Sequence, residues 1–151
     1  MARLKRILLA EDNARDVELV VEALEENHLA NEIVVVRDGV KAMEYLRGQG
    51  EFANRSPESP VVVLLDLKMP RMDGLEVLRH MKEDEALRMI PVVMLTSSRE
   101  ERDLIESYRL GVNAYVVKPV VFDRFLEAVR TLGLFWAVVN ETPLTDTRKP
   151  A

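Results

Sequence analysis

A doubly wound α/β sheet of five parallel strands is the fold class this 151-residue sequence predicts, and three observations predict it. Short runs rich in Val, Ile and Leu alternate with segments of helical periodicity. The connections between them are short, so neighbouring strands must mostly run parallel, because parallel neighbours need a crossover and the crossover is right-handed. The apolar runs are nearly continuous, as strands covered on both faces tend to be.

The strand-like runs are Arg6–Ala10, Glu32–Val36, Val61–Leu65, Val92–Leu95 and Ala114–Val117. Between them, the first helix-like segment carries Val17, Val20, Val21 and Leu24 at i, i+3, i+4 and i+7. The last carries Phe122, Phe125, Leu126 and Val129 at the same spacing, which gives each helix one core-facing stripe. Gly48–Pro60, "GQGEFANRSPESP", is a polar connection about as long as structureless loops in compact domains become. No internal repeat or low-complexity tract interrupts this order.

Composition narrows the function classes. At 48% hydrophobic and 31% charged, the chain has the balance of one globular domain. Its longest apolar stretches, Val61–Leu65 and Leu134–Val139, are far shorter than the roughly 18 residues of a membrane span, so no membrane association is expected. The run Ile7–Ala10 ends in Glu11 and Asp12, unlike a secretory signal, and the mature chain is expected to begin near Met1. The absence of cysteine excludes disulfides and thiolate metal sites and fits a cytoplasmic location. A net charge of −5, with no basic block beyond the first few residues, argues against nucleic acid as a partner.

Polar residues at the strand ends carry the chemistry. Glu11 and Asp12 follow the first strand in "LLAEDNARD", and Asp66 follows the third. In an open parallel sheet of order 2-1-3-4-5, ligands gather outside the carboxyl ends of the strands where the winding reverses, between strands one and three. The three acids converge there. Carboxylates so close stay ionised only around a cation, and a small set of them plus water suits Mg²⁺. Thr96 ends the fourth strand and Lys118 the fifth, so a hydroxyl and an ammonium face the acids. Beside a metal-bound aspartate these donors suit the oxygens of a phosphoryl group, with Asp66 as the nucleophile that forms an acyl phosphate.

The set Glu11–Asp12, Asp66 followed by "LKMPRMDG", Thr96 and Lys118–Pro119 resembles the receiver domain of two-component response regulators, the family of the chemotaxis regulator, whose sheet is flavodoxin-like. The resemblance runs from about Lys5 to about Gly133. It implies that Glu11, Asp12 and Asp66 hold Mg²⁺ with the backbone carbonyl of Lys68, and that Asp66 is phosphorylated by a sensor histidine kinase. It implies that Thr96 and Lys118 contact the phosphoryl group, that Thr96 and Tyr115 form the switch, and that the bond to Pro119 is cis. Within the family, the Gly48–Pro60 loop, "SREERDLIESYRLGVNAY" and "FWAVVNETP" are similar to stand-alone receivers that serve bacterial phytochromes.

The expectation is a single-domain, Mg²⁺-dependent phosphoacceptor switch and no enzyme beyond its own phosphorylation and dephosphorylation. The receiver with an apolar extension occupies residues 1–140 and a polar tail 141–151. Phosphorylation should alter the face of the fourth helix, fifth strand and fifth helix, and output should pass to a downstream protein target or a phosphorelay component. A homodimer on that face is expected, anchored by Phe135 and Trp136, because an apolar pattern continues past the end of a minimal receiver. Taken singly, Asp66 reads as a turn residue, a reading its four companions displace; Tyr115 taken singly reads as a half-buried aromatic, and its switch role is implied by the resemblance alone. Asp73–Gly74 reads as helix-start chemistry, and Gly74 should pack against the active-site loop. Two positions depart from the family pattern. Lys68 places a long cation beside the acceptor, where it either steers a phosphodonor or lies on the surface. Val120–Val121 stand where a helix-starting Asp or Ser is common, so an irregular start of the last helix is expected.

Rival classes fit less well. A haloacid-dehalogenase-type phosphatase places its nucleophile first in the chain with a second aspartate two residues on, where this chain has Lys68. A flavodoxin-like electron carrier needs a phosphate-cradling loop where this chain has "EDNARD". The remaining alternative is a receiver-like module that binds proteins without phosphorylation. Such a module would typically have lost an acid, the acceptor or the lysine, and here all are present.

Overall fold

Five strands pair in parallel in the order β2-β1-β3-β4-β5 in the computed structural model, which describes residues 6–26, 32–55, 58–96, 109–112, 114–118, 123 and 127. They are β1 (Arg6–Ala10), β2 (Glu32–Val36), β3 (Val62–Asp66), β4 (Val92–Thr96) and β5 (Ala114–Val117). The fold class and strand order agree with the sequence reading. Three bounds shift: β3 begins and ends one residue later and β4 ends one residue later, so Asp66 and Thr96 are themselves the last strand residues. The described helices are α1 (Ala14–Glu26), α2 (Gly39–Arg47) and α3 (Gly74–Glu83).

Strand residues alternate between two cores, which explains why their sequences are apolar throughout. Ile7, Leu9, Val62, Leu64, Val93 and Leu95 face α1, whose Val17, Val20 and Leu24 complete that layer. Leu8, Ala10, Val63, Leu65, Val92 and Met94 face the other way, against Met43 and Leu46 of α2 and Val77, Leu78 and Met81 of α3. Each buried large side chain is worth roughly 1.5–3 kcal/mol, so both layers must be filled for the sheet to persist.

Local chemistry starts and stops the helices. Asn13 caps α1, its Oδ1 accepting the Asp16 N–H at 3.0 Å. Asp38 caps α2 through the Lys41 N–H at 2.8 Å, and Gly48, at φ 64°, ends that helix in the left-handed region glycine tolerates. Asp73 and Glu76 form a reciprocal capping box at the start of α3. Among its described residues, the polar Gly48–Pro60 connection contains a 3-10 turn, Gly50–Phe52. Within it Arg55 donates to the carbonyls of Tyr45 and Leu46, supplying the last turn of α2 with hydrogen bonds, and its guanidinium lies 4.6 Å from the Tyr45 ring centroid.

The last helix with Phe122, Phe125, Leu126 and Val129, the Pro119 bond, and the Phe135 and Trp136 anchors lie outside the described residues. Tyr115 is placed in β5 by its backbone; its side chain lies outside the description. Among the described residues no helix is long and apolar enough to cross a membrane.

Candidate functional site

Strand register brings the polar residues to one edge of the sheet. Ala10 pairs with Leu65, Asp66 with Leu95, and Thr96 with Val117. Glu11 continues the line of β1, because its N–H donates to the Val36 carbonyl at 3.0 Å. Lys118 continues β5, its N–H donating to the Thr96 carbonyl at 2.8 Å. Residues far apart in the chain therefore meet at adjacent strand ends.

Glu11, Asp12 and Asp66 present carboxylate oxygens that all lie within 4.8 Å of one another. Glu11 and Asp66 are buried and Asp12 is exposed, so the cluster opens to solvent on one side. Lys118 reaches in from β5, with Nζ 2.8 Å from Glu11 Oε1 and 3.1 Å from Asp66 Oδ1. Thr96 is buried at the same edge. Lys68, whose carbonyl the sequence reading adds to the metal site, lies two residues past Asp66 with an exposed side chain.

The electrostatics follow from this crowding. Burial and then the neighbouring Glu11 push the Asp66 carboxyl up to about 7, and Lys118 pulls it only partly back. Burial by itself lowers the Lys118 ammonium, but its bonds to Glu11 and Asp16 and the charge of Asp66 outweigh that and raise it. An all-oxygen donor set in which a carboxylate is driven toward neutrality by burial and by a second carboxylate fits a hard divalent cation such as Mg²⁺ or Mn²⁺.

The loop after Asp66 is held by both flanking helices. Gly74 sits so close to it that a Cβ there would lie 2.3 Å from the Asp66 carbonyl oxygen, and a Cβ on Gly39 would lie 2.1 Å from that of Met72. Arg71 adopts φ 68°, an uncommon left-handed conformation for a non-glycine residue, and its Nη1 bonds Asp38 Oδ2 at 3.2 Å. The sequence reading anticipated Gly74 but not Arg71–Asp38.

Sequence reasoning also missed Asp16, whose Oδ2 lies 3.0 Å from Lys118 Nζ. The available signal was its place in "EDNARD": with Asn13 as the cap, Asp16 falls at the third helical position, one turn from the acids.

The chain belongs to the response regulator receiver family: the family model described as the response regulator receiver domain matches residues 7–130. It is 43% identical over 132 residues to response regulator Rcp1 of Synechocystis, an alignment spanning 87% of this chain and 88% of that protein. The bacteriophytochrome response regulator AtBRR superposes with a TM-score of 0.84 at 59% identity, covering 93% of this chain and all of AtBRR (100%). The phosphorylated cyanobacterial phytochrome response regulator RcpA superposes at 0.75 with 44% identity, covering 89% of this chain and 94% of RcpA. Rcp1 itself has been seen in a Mn²⁺-bound form, with a TM-score of 0.73 at 43% identity, covering 88% of this chain and 94% of Rcp1. The chain is thus a two-component receiver similar to phytochrome-associated response regulators.

Proposed function

We propose that this receiver accepts a phosphoryl group on Asp66 from the phosphohistidine of a sensor kinase of the phytochrome-associated kind, in a Mg²⁺-dependent reaction. The observation that carries this reading is the convergence of Asp66 with two further acids and Lys118 at one edge of the sheet. Glu11, Asp12, Asp66 and the Lys68 carbonyl are the residues that would hold the ion, which when bound neutralises charge on the acids and on the incoming phosphoryl group.

An Asp66 carboxylate oxygen attacks phosphorus, the phosphorus–nitrogen bond breaks, and its electron pair leaves on the imidazole nitrogen, which then takes a proton. The product is an acyl phosphate on Asp66 and a free histidine on the kinase. Lys118 supplies an ammonium and Thr96 a hydroxyl to the phosphoryl oxygens, positioning and charge stabilisation being most of what phosphoryl transfer needs. The new group adds roughly 1.5–2 negative charges. Through Thr96 and Tyr115 it shifts the face of the fourth helix, β5 and the fifth helix, which signals to partner proteins in the cytoplasm.

Acetyl phosphate with Mg²⁺ should add one phosphoryl group, read by intact mass, and Asp66→Asn or chelation of Mg²⁺ should abolish it. Labelling of Asp66→Asn to the wild-type level by a cognate kinase would overturn the assignment.

A further inference from the structure

The three N–H donors of the Lys118 ammonium are matched by three carboxylates. Nζ lies 2.8 Å from Glu11 Oε1, 3.0 Å from Asp16 Oδ2 and 3.1 Å from Asp66 Oδ1. Glu11 and Asp66 belong to the carboxylate cluster described above; Asp16 does not. Asp16 approaches from the first turn of α1, where Asn13 fixes the backbone on both sides of it: Oδ1 takes the Asp16 N–H at 3.0 Å and the carbonyl takes the Val17 N–H at 3.0 Å. Its side chain is 26% exposed while that of Lys118 is 9% exposed, so Asp16 meets the ammonium at the rim of the site.

We propose that Asp16 is a positioning residue that competes with the phosphoryl group for Lys118 and thereby sets how tightly the site holds a phosphoryl oxygen. This rests on the reading of Asp66 as the phosphoacceptor. A phosphoryl oxygen gains an N–H of Lys118 only when one carboxylate lets go, and Asp16 is the partner that can do so without disturbing the acid cluster. Charge acts in the same direction. Asp16 is a fourth carboxylate beside a group that arrives carrying negative charge, so its presence weakens capture both by occupying a donor and by repulsion.

Beryllofluoride, a tetrahedral mimic of the phosphoryl group, tests this when titrated with Mg²⁺ and followed by amide NMR shifts. Asp16→Asn keeps the shape and removes the charge, and it should bind about three- to tenfold more tightly than wild type, a modest effect as expected for a partly exposed pair. Asp16→Glu restores the charge and should return to within about twofold of wild type. In a Lys118→Ala background the gain from Asp16→Asn should shrink clearly, because the competition for the ammonium is gone and only the direct repulsion remains. Independently, the Lys118 ¹⁵Nζ resonance should move in Asp16→Asn and, in wild type, on saturation with beryllofluoride. Unchanged or weaker binding by Asp16→Asn, an equal gain without Lys118, or a ¹⁵Nζ resonance indifferent to both changes would overturn the proposal. A wild type that neither binds beryllofluoride nor is labelled at Asp66 would overturn the phosphoacceptor reading and this proposal together, whereas normal wild-type binding with an unresponsive Asp16→Asn would overturn this proposal alone.

Discussion

Lys118 and Asp66 concentrate the physics of the site in one contact of 3.1 Å. The ammonium is the group that connects the acceptor to the rest of the edge, so its removal should separate chemistry from switching. Lys118→Ala should still be labelled by acetyl phosphate, though more slowly, and should fail to reach the activated conformation; phosphate-induced NMR shifts at Tyr115 equal to those of wild type would remove Lys118 from the mechanism. Asp66 makes a pH prediction. Its carboxyl titrates near 7 in the fold, against about 4 in an unfolded chain. The folded state therefore binds this proton more tightly, and the stability the protonated form contributes is fully present below about pH 4 and is lost as pH rises through about 7. In EDTA, the stability advantage of Asp66→Asn over wild type should widen between pH 4 and pH 8, by up to on the order of 4 kcal/mol, by urea titration. Added Mg²⁺ should narrow it. A gap independent of pH would show that the Asp66 charge is already compensated.

Helix starts do more here than begin helices. The first residues of α2 and α3 are Gly39 and Gly74, and each lies against the backbone of the loop that follows Asp66. Alanine normally favours a helix over glycine by about 1 kcal/mol. At Gly74 that gain is set against a Cβ placed 2.3 Å from the Asp66 carbonyl oxygen, a distance no real contact tolerates. Overlap wins, and Gly74→Ala should lose roughly 1–3 kcal/mol by urea titration and disturb the Asp66 loop in amide NMR spectra. A variant as stable as wild type would show that the loop yields freely. The helix start itself was legible, since "MDGLE" supplies a capping residue and its Glu partner three positions later. Arg71 was not, because its left-handed backbone and its bond to Asp38 join residues 33 positions apart and leave no local pattern.

Across the whole molecule, the sheet separates two cores and gathers the chemistry at one edge. The apolar extension from Leu134 to Val139 lies outside the described residues and belongs to the proposed assembly. Large apolar side chains are each worth roughly 1.5–3 kcal/mol on burial, which favours a covering surface, and a C₂ dimer offers a self-complementary one. Light scattering at tens of micromolar should find a dimer, and Phe135→Ala/Trp136→Ala should dissociate it without unfolding the chain. A wild-type monomer, phosphorylated or not, would sink this.

By itself the sequence determined the alternation of strands and helices, the parallel five-stranded sheet and the candidate residues Glu11, Asp12, Asp66, Thr96 and Lys118. These follow from periodicity and from polar residues breaking apolar runs, both of which are local. Only the tertiary structure decided that Asp16 meets Lys118 across 102 residues, and that Asp66 is buried deeply enough, with Glu11 beside it, to raise its carboxyl to about 7. Such pairings depend on strand register and on the angle at which α1 leaves β1, and neither is written in the spacing of residues along the chain.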